Sequence, residues 1–192
     1  MTRVLFVCTG NLCRSPSAAW FMVQRLAEMG PTDVVVTSAG TSGTSSVPPT
    51  PLLREGAAFG LQVADHVPTR VTPEALAAAD LVVCMALEHV RELVVLHPAA
   101  FAKTFTLREI VRRGTAAGPR HPGEALGEYL LRLHAGRRHM DLIGTSPQDD
   151  TPDPMGGQSE DFRRMLEEID VLTRRLYDLL WPPSEQRLSA SA

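Results

Sequence analysis

The residues best suited to chemistry lie near the start of the chain, in Cys8-Thr9-Gly10-Asn11-Leu12-Cys13-Arg14-Ser15-Pro16. An apolar run, Val4-Leu5-Phe6-Val7, enters this stretch and a helical pattern leaves it, so the loop joins a buried strand to a helix N-terminus. Loop amides and the positive end of a helix together form a cup for a tetrahedral oxyanion. Cys8 puts a thiol at one lip of that cup and Arg14 a guanidinium at the other. A helix N-terminus and a nearby cation can bring a thiol pKa down to about 3.5–7.5, which supplies a thiolate nucleophile. Arg14 can clamp two equatorial oxygens of a phosphoryl group and follow them into the transition state. Ser15 can donate its hydroxyl proton to the sulfur. Gly10 offers close approach or a positive φ, and Asn11 tolerates a left-handed backbone while tying the loop to itself. A Cys-x5-Arg spacing alone arises by chance. Between a strand and a helix, with Gly, Asn and Ser-Pro in place, it points to a phosphate-binding loop with its nucleophile built in.

Alternating patterns must supply the frame for this loop. Ser17–Met29 has helical spacing and ends at Gly30-Pro31; Val34–Gly40 reads as a second strand, and 41–51 as a Ser/Thr/Pro/Gly-rich loop. Leu52–Phe59 reads as a short helix closed by Gly60, followed by a helix at Pro73–Ala79 and a third strand at Asp80–Met85. A helix at Glu88–His97, a short strand at Thr104–Thr106 and a helix at Leu107–Arg113 come next. Segment 114–150 reads as a loop-rich insertion with one helix near 124–134. Its Arg137-Arg138-His139 and Gln148-Asp149-Asp150 clusters suit solvated surface, or a docking site for a substrate protein. Ser159 is placed to cap a last helix whose apolar stripe is Phe162, Met165, Leu166, Ile169, Leu172, Leu176 and Leu179, stopped by Trp181-Pro182-Pro183. Strands alternating with helices predict an α/β fold with a parallel sheet. Its ligand site falls at the carboxyl ends of the strands, where Cys8 lies. Residues 1–183 read as one domain and 184–192 as a flexible tail.

Bulk properties narrow the function. At 192 residues, with 44% hydrophobic and 21% charged residues, the composition is that of an ordinary globular domain. A formal net charge of −3 argues against a dedicated nucleic-acid binder. Three cysteines, two of them in one loop, do not form a secreted disulfide framework. No apolar run is long enough for a membrane span, and the expected compartment is a reducing cytoplasm.

The Cys8–Pro16 stretch resembles the signature loop of the low-molecular-weight protein tyrosine phosphatases, a family that also holds bacterial protein-arginine phosphatases and thioredoxin-coupled arsenate reductases. The resemblance spans essentially the whole chain and implies a four-stranded parallel sheet of order 2-1-3-4, flanked by helices on both faces. It also implies a general acid in an Asp-Pro pair near the last helix, and Asp153-Pro154 stands there. Alone, such a pair would read as a turn, since a pre-proline backbone is extended. His66 sits where the family has a histidine that holds the loop from behind through its Asn and Ser. The family often has arginine where Thr69 stands.

The implied reaction is phosphomonoester hydrolysis through a phosphocysteine on Cys8, without metal or cofactor, with Thr9, Gly10, Asn11, Leu12, Cys13 and Ser15 completing the phosphate loop. Cys13 is either loop filler or the partner of Cys8 in a reversible disulfide. The partners implied are phosphate or another oxyanion and a phosphorylated protein, a tyrosine kinase among the candidates, with no nucleic acid and no membrane. Leu12 stands where the family's tyrosine phosphatases carry a branched aliphatic residue and its arginine phosphatases carry threonine, so phosphotyrosine leads and phosphoarginine is the alternative. Where many members flank the substrate ring with aromatics, this chain has Thr44 and Met155. Arsenate reduction would need a further cysteine pair near Cys84, which is alone there and reads as a core residue. A silent phosphate-binding adaptor would have no need of Cys8, Arg14 and Asp153 together.

Overall fold

The computed structural model describes residues 1–43 and 45–182. Four parallel strands, β1 (Thr2–Cys8), β2 (Val34–Gly40), β3 (Leu81–Cys84) and β4 (Thr104–Thr106), form one sheet in the order β2-β1-β3-β4. The connecting helices are α1 (Arg14–Met29), α2 (Thr50–Gly56), α3 (Pro73–Ala78), α4 (Leu87–Leu96), α5 (Leu107–Ala117), α6 (Leu126–His134) and α7 (Ser159–Leu180). β1 lies between two neighbours and both of its faces are covered, which is why its sequence is an unbroken apolar run. Val4, Phe6 and Cys8 join a core with α1, α2, α5, α6 and α7, whereas Leu5 and Val7 join a second core with α3 and α4. Each fully buried side chain of this size contributes about 1.5–3 kcal/mol of apolar transfer. The strand that ends in Cys8 is therefore firmly seated.

The helices depart from the sequence reading in several places. α1 starts at Arg14, with Cys13 as its N-cap, so Pro16 falls in its first turn. α5 continues four residues past Arg113 to Ala117. Gly114, which the sequence reading places at the start of the loop-rich segment, lies inside the helix, and its bare Cα is a packing surface: a Cβ there would lie 2.6 Å from Leu179 Cδ1 and 2.9 Å from the Tyr129 hydroxyl. α7 is capped by Gln158 rather than Ser159, and the Asp161 carboxylate accepts from the Gln158 amide at 2.8 Å. Thr173, Tyr177 and Leu180 are buried on α7, while Leu172 and Leu179 sit at the margin of the core. α2 begins at Thr50, inside the expected loop, because Pro51 suits a first helical turn.

The insertion is bound to the sheet edge by charge. Arg137, expected on a solvated or docking surface, is only 3% exposed; its guanidinium lies 4.6 Å from the Phe101 ring centroid and 4.2 Å from that of Phe105. It pairs with Glu109 at 2.9 Å and donates to the Thr104 carbonyl of β4 at 2.8 Å. Asp149 is likewise buried, accepting from Arg112 Nη2 at 2.9 Å and from the Ser146 hydroxyl at 3.0 Å. The basic cluster thus yields an internal fastener in Arg137, and the acidic one yields another in Asp149. Among the described residues no helix is long and apolar enough to cross a membrane. The expected tail at 184–192 lies outside the described residues.

Candidate active site

β1 ends at Cys8, and the chain turns at once into α1, so the loop at residues 9–13 is stretched over the helix N-terminus. The positive φ of this loop falls on Asn11 (φ 52°), not on Gly10, as the sequence allowed. Asn11 is fully buried and uses both ends of its amide. Its Nδ2 donates to Ser15 Oγ at 3.0 Å and Ser38 Oγ at 2.9 Å, and its Oδ1 accepts from the Thr69 amide at 2.9 Å. His66 Nε2 lies 2.8 Å from the Asn11 carbonyl and 3.1 Å from Asn11 Oδ1. Both are acceptors, so Nε2 carries the proton. These contacts hold a residue in a left-handed conformation that otherwise costs about 1–2 kcal/mol.

The same network orients the hydroxyl beside the sulfur. Ser15 Oγ lies 3.0 Å from Cys8 Sγ and accepts from Asn11, so its own proton is free for the sulfur or for the Ala39 carbonyl at 3.3 Å. β2 closes the cup from the side. A Cβ on Gly40 would fall 2.6 Å from the Thr9 carbonyl and 3.0 Å from the Asn11 amide nitrogen, which leaves room only for glycine. The amides of Thr41 and Ser42 donate to the carbonyls of Cys8 and Thr9, each at 3.0 Å.

Arg14 is 5% exposed at its side chain, and its Nη2 donates to Asp153 Oδ2 at 2.5 Å. Longer contacts, both 3.4 Å, run from Nη2 to Thr9 Oγ1 and from Nη1 to the Thr151 carbonyl. Asp153 therefore comes to the loop from the far end of the chain, and its other oxygen accepts from the Met155 amide at 3.1 Å. The segment before it is pinned twice: the Thr151 amide donates to the Met85 carbonyl at 2.8 Å, and the Leu87 amide donates to Asp150 Oδ1 at 2.7 Å. Asp150 thereby caps the N-terminus of α4.

Cys8, Cys13 and Cys84 are all free thiols. Burial, and then the neighbouring Cys8, push the Cys13 thiol far up from its ordinary range. Burial does the same to Cys84, which is fully enclosed between the sheet and α4. Among the described residues no group of three His, Cys, Asp or Glu side chains is arranged to hold a metal ion.

Met155 is half exposed and, with Asp153, Arg164 and Met165, lines a groove of about 470 Å³ running toward α7. Leu12 is half-buried in the loop. Thr44 lies outside the described residues. Some residues at the site carried no sequence signal of a role. His89 projects from the first turn of α4 and is completely buried, with Nε2 at 2.9 Å from Thr9 Oγ1. Ser38 and Gly40 were legible as the end of a strand and as part of a Ser-Ala-Gly-Thr turn that resembles the family, but not as partners of the loop. The anchoring of Asp149 and Asp150 was hidden because acidic residues in a loop usually face water.

Comparison with known proteins agrees with this geometry. The family model described as "Low molecular weight phosphotyrosine protein phosphatase" matches residues 3–118. The chain is 29% identical over 174 residues to a protein-arginine-phosphatase of Bacillus subtilis, covering 90% of this chain and 93% of the relative. It is 32% identical over 131 residues to the low molecular weight protein-tyrosine-phosphatase Etp of Escherichia coli, covering 68% of this chain and 85% of that one. Among solved structures, a low molecular weight protein tyrosine phosphatase from T. tengcongensis superposes with a TM-score of 0.69 at 28% identity, covering 94% of this chain and 100% of the other.

Proposed function

We propose that this chain, which belongs to the low-molecular-weight phosphotyrosine protein phosphatase family, hydrolyses phosphotyrosine in proteins through a phosphocysteine on Cys8. The observation that carries the reading is the convergence of Cys8, Ser15, Arg14 and Asp153 on one loop, with Ser15 Oγ 3.0 Å from the sulfur and Asp153 2.5 Å from Arg14. In the first step the Cys8 thiolate attacks phosphorus in line. A sulfur–phosphorus bond forms, the ester oxygen–phosphorus bond breaks, and Asp153 gives its proton to the departing oxygen. Arg14 and the loop amides hold the three equatorial oxygens. In the second step Asp153 takes a proton from water as it attacks phosphorus. The sulfur leaves as thiolate, stabilised by the Ser15 hydroxyl.

Arg14 cannot serve the phosphoryl group and Asp153 equally. An incoming oxyanion takes the guanidinium fork and frees the carboxyl to turn toward the leaving group. Asn11 and His66 act behind the loop, keeping its amides and the Ser15 hydroxyl in place. Leu12 supplies an apolar wall suited to an aryl ring, and the half-exposed Met155 can pack on a ring through its sulfur. A tyrosine kinase is one candidate substrate, in a cytoplasmic setting.

The alternative substrate is phosphoarginine, favoured by the 29%-identical relative named protein-arginine-phosphatase, which aligns over 90% of this chain. Rates on matched phosphotyrosine and phosphoarginine peptides discriminate the two. Cys8→Ser must abolish turnover on whichever is used, and phosphate label must be trapped on wild-type Cys8 by acid quench. Equal rates for wild type and Cys8→Ser would refute the assignment of the nucleophile.

A further inference from the structure

The first turn of α4 presses a histidine against the phosphate loop, and the reaction scheme above leaves it without a task. His89 is fully buried, and its Nε2 reaches Thr9 Oγ1 at 2.9 Å. Its other nitrogen, Nδ1, is buried with no hydrogen-bond partner among the described residues. Two observations fix the proton on Nε2. A buried N–H without an acceptor is rarer than a buried lone pair without a donor, which places the lone pair on Nδ1. The Glu88 carboxylate, 3.6 Å from Nε2, also favours a proton on that nitrogen. Burial, and then the Arg14 charge, bring the His89 pKa down to about 3, so the ring is neutral at physiological pH.

Thr9 Oγ1 therefore accepts from His89 Nε2 and, at 3.4 Å, from Arg14 Nη2. A hydroxyl oxygen has two lone pairs, and both are now in use. Its single proton must point elsewhere, and Thr9 is exposed at the mouth of the cup. We propose that His89 is a positioning residue that, through Thr9, seats the Arg14 guanidinium and turns the Thr9 hydroxyl into an obligate donor toward a bound oxyanion. The inference rests on the phosphatase reading for its ligand class, but inorganic phosphate binding tests it without turnover.

The decisive experiment is a double-mutant cycle on Thr9→Val and His89→Leu, read by calorimetric titration with inorganic phosphate and by kcat and KM on an aryl phosphate. Thr9→Val keeps the side-chain shape and removes only the hydroxyl. Each single variant is expected to weaken phosphate binding about ten- to a hundredfold, the worth of one net hydrogen bond to a charged group. The double variant should be no weaker than the worse single one, and Thr9→Ser should restore wild-type affinity. Thr9→Val also leaves the buried His89 Nε2–H without its acceptor, so its melting temperature should fall modestly; phosphate binding is measured well below that temperature, which separates positioning from folding. Multiplicative losses in the double variant, or wild-type phosphate affinity in Thr9→Val, would overturn the inference. Should His89→Leu fail to fold, His89→Gln, whose side-chain amide keeps a donor for Thr9 Oγ1, takes its place: it should bind phosphate more tightly than Thr9→Val, and an equal loss would overturn the inference. If phosphate binds and Thr9→Val weakens it while no peptide is hydrolysed, the phosphatase reading fails and this inference stands.

Discussion

Arg14 Nη2 and Asp153 Oδ2 lie 2.5 Å apart although 139 positions separate them in the chain. The group proposed to hold the phosphoryl oxygens is paired with the group proposed to protonate the leaving oxygen. Replacing Asp153 by Asn should therefore have two opposite effects. The loss of the acid should lower kcat about 10²- to 10⁴-fold, most severely for alkyl phosphates and least for nitrophenyl phosphate. The loss of the competing carboxylate should tighten inorganic phosphate. A leaving-group series together with a phosphate titration reads both, and a uniform loss across leaving groups would refute the acid role.

Asn11 holds the loop through its amide, its carbonyl and a left-handed backbone at once. Asn11→Ala removes the contacts to Ser15, Ser38 and Thr69 while keeping the strained φ of 52°. The expected cost is about 2–4 kcal/mol of stability, with kcat falling at least in proportion to the misplaced Ser15 hydroxyl. His66→Ala should reproduce part of this loss, and Asn11→Gly should recover stability better than activity. Chemical denaturation and steady-state kinetics on the three variants provide the check.

Gly40→Ala tests the closeness of β2 to the loop. A methyl 2.6 Å from the Thr9 carbonyl must displace backbone, since no flexible side chain can yield there. Overpacking of this kind costs about 1–3 kcal/mol, and here the displaced atoms belong to the cup itself. Phosphate affinity should drop even where the folded fraction at 25 °C remains high, and binding measured below the melting temperature separates the two effects.

The insertion's fastener can be cut independently of the site. Among the described residues, Arg137→Ala leaves Glu109 paired with Arg113 alone, at 2.9 Å, and removes the cation between Phe101 and Phe105. Breaking a buried pair costs about 3–5 kcal/mol. Arg137→Met, which fills the same space between the rings, should lose less. The melting temperature should fall in the order Met, then Ala, while kcat at low temperature stays near wild type.

His89 gives stability a defined acid limb. Its folded pKa of about 3 lies below its ordinary value of 6.5, so the unfolded chain binds more protons between those limits. The stability linked to the neutral ring is fully present above about pH 6.5 and is lost as pH falls from there toward 3. Denaturant unfolding of wild type and His89→Leu across this range should show a shallower slope for the variant; parallel curves would refute the assignment.

The sequence exposed those parts of the fold that obey a short-range period, and β1 with its loop is the best case. Val4–Val7, Gly10, Asn11 and Ser15-Pro16 are neighbours whose local preferences all agree, so strand, loop and helix could be placed without the rest of the chain. Asp153 was different, because only the family resemblance distinguished it from a turn residue before a proline. His89 and Arg137 were illegible for a common physical reason. Polar residues in helical or loop patterns ordinarily face solvent, and only the tertiary fold supplies the partners that permit their burial. Gly114 misled because a residue that weakens an isolated helix was there to admit a neighbouring one.

The pins at the base of the acid segment have a consequence for how such a protein can diverge. Thr151 is registered on Met85, and the Met85 amide in turn donates to the carbonyl of Val7, the residue before Cys8, at 2.9 Å. The carboxyl is thus surveyed from the strand that carries the sulfur and not from the excursion that precedes it. Insertions in the exposed turn between α5 and α6 can lengthen or redecorate that flank while the acid segment keeps its anchor on Met85. New partners can be recruited on one side of the molecule without renegotiating the chemistry on the other.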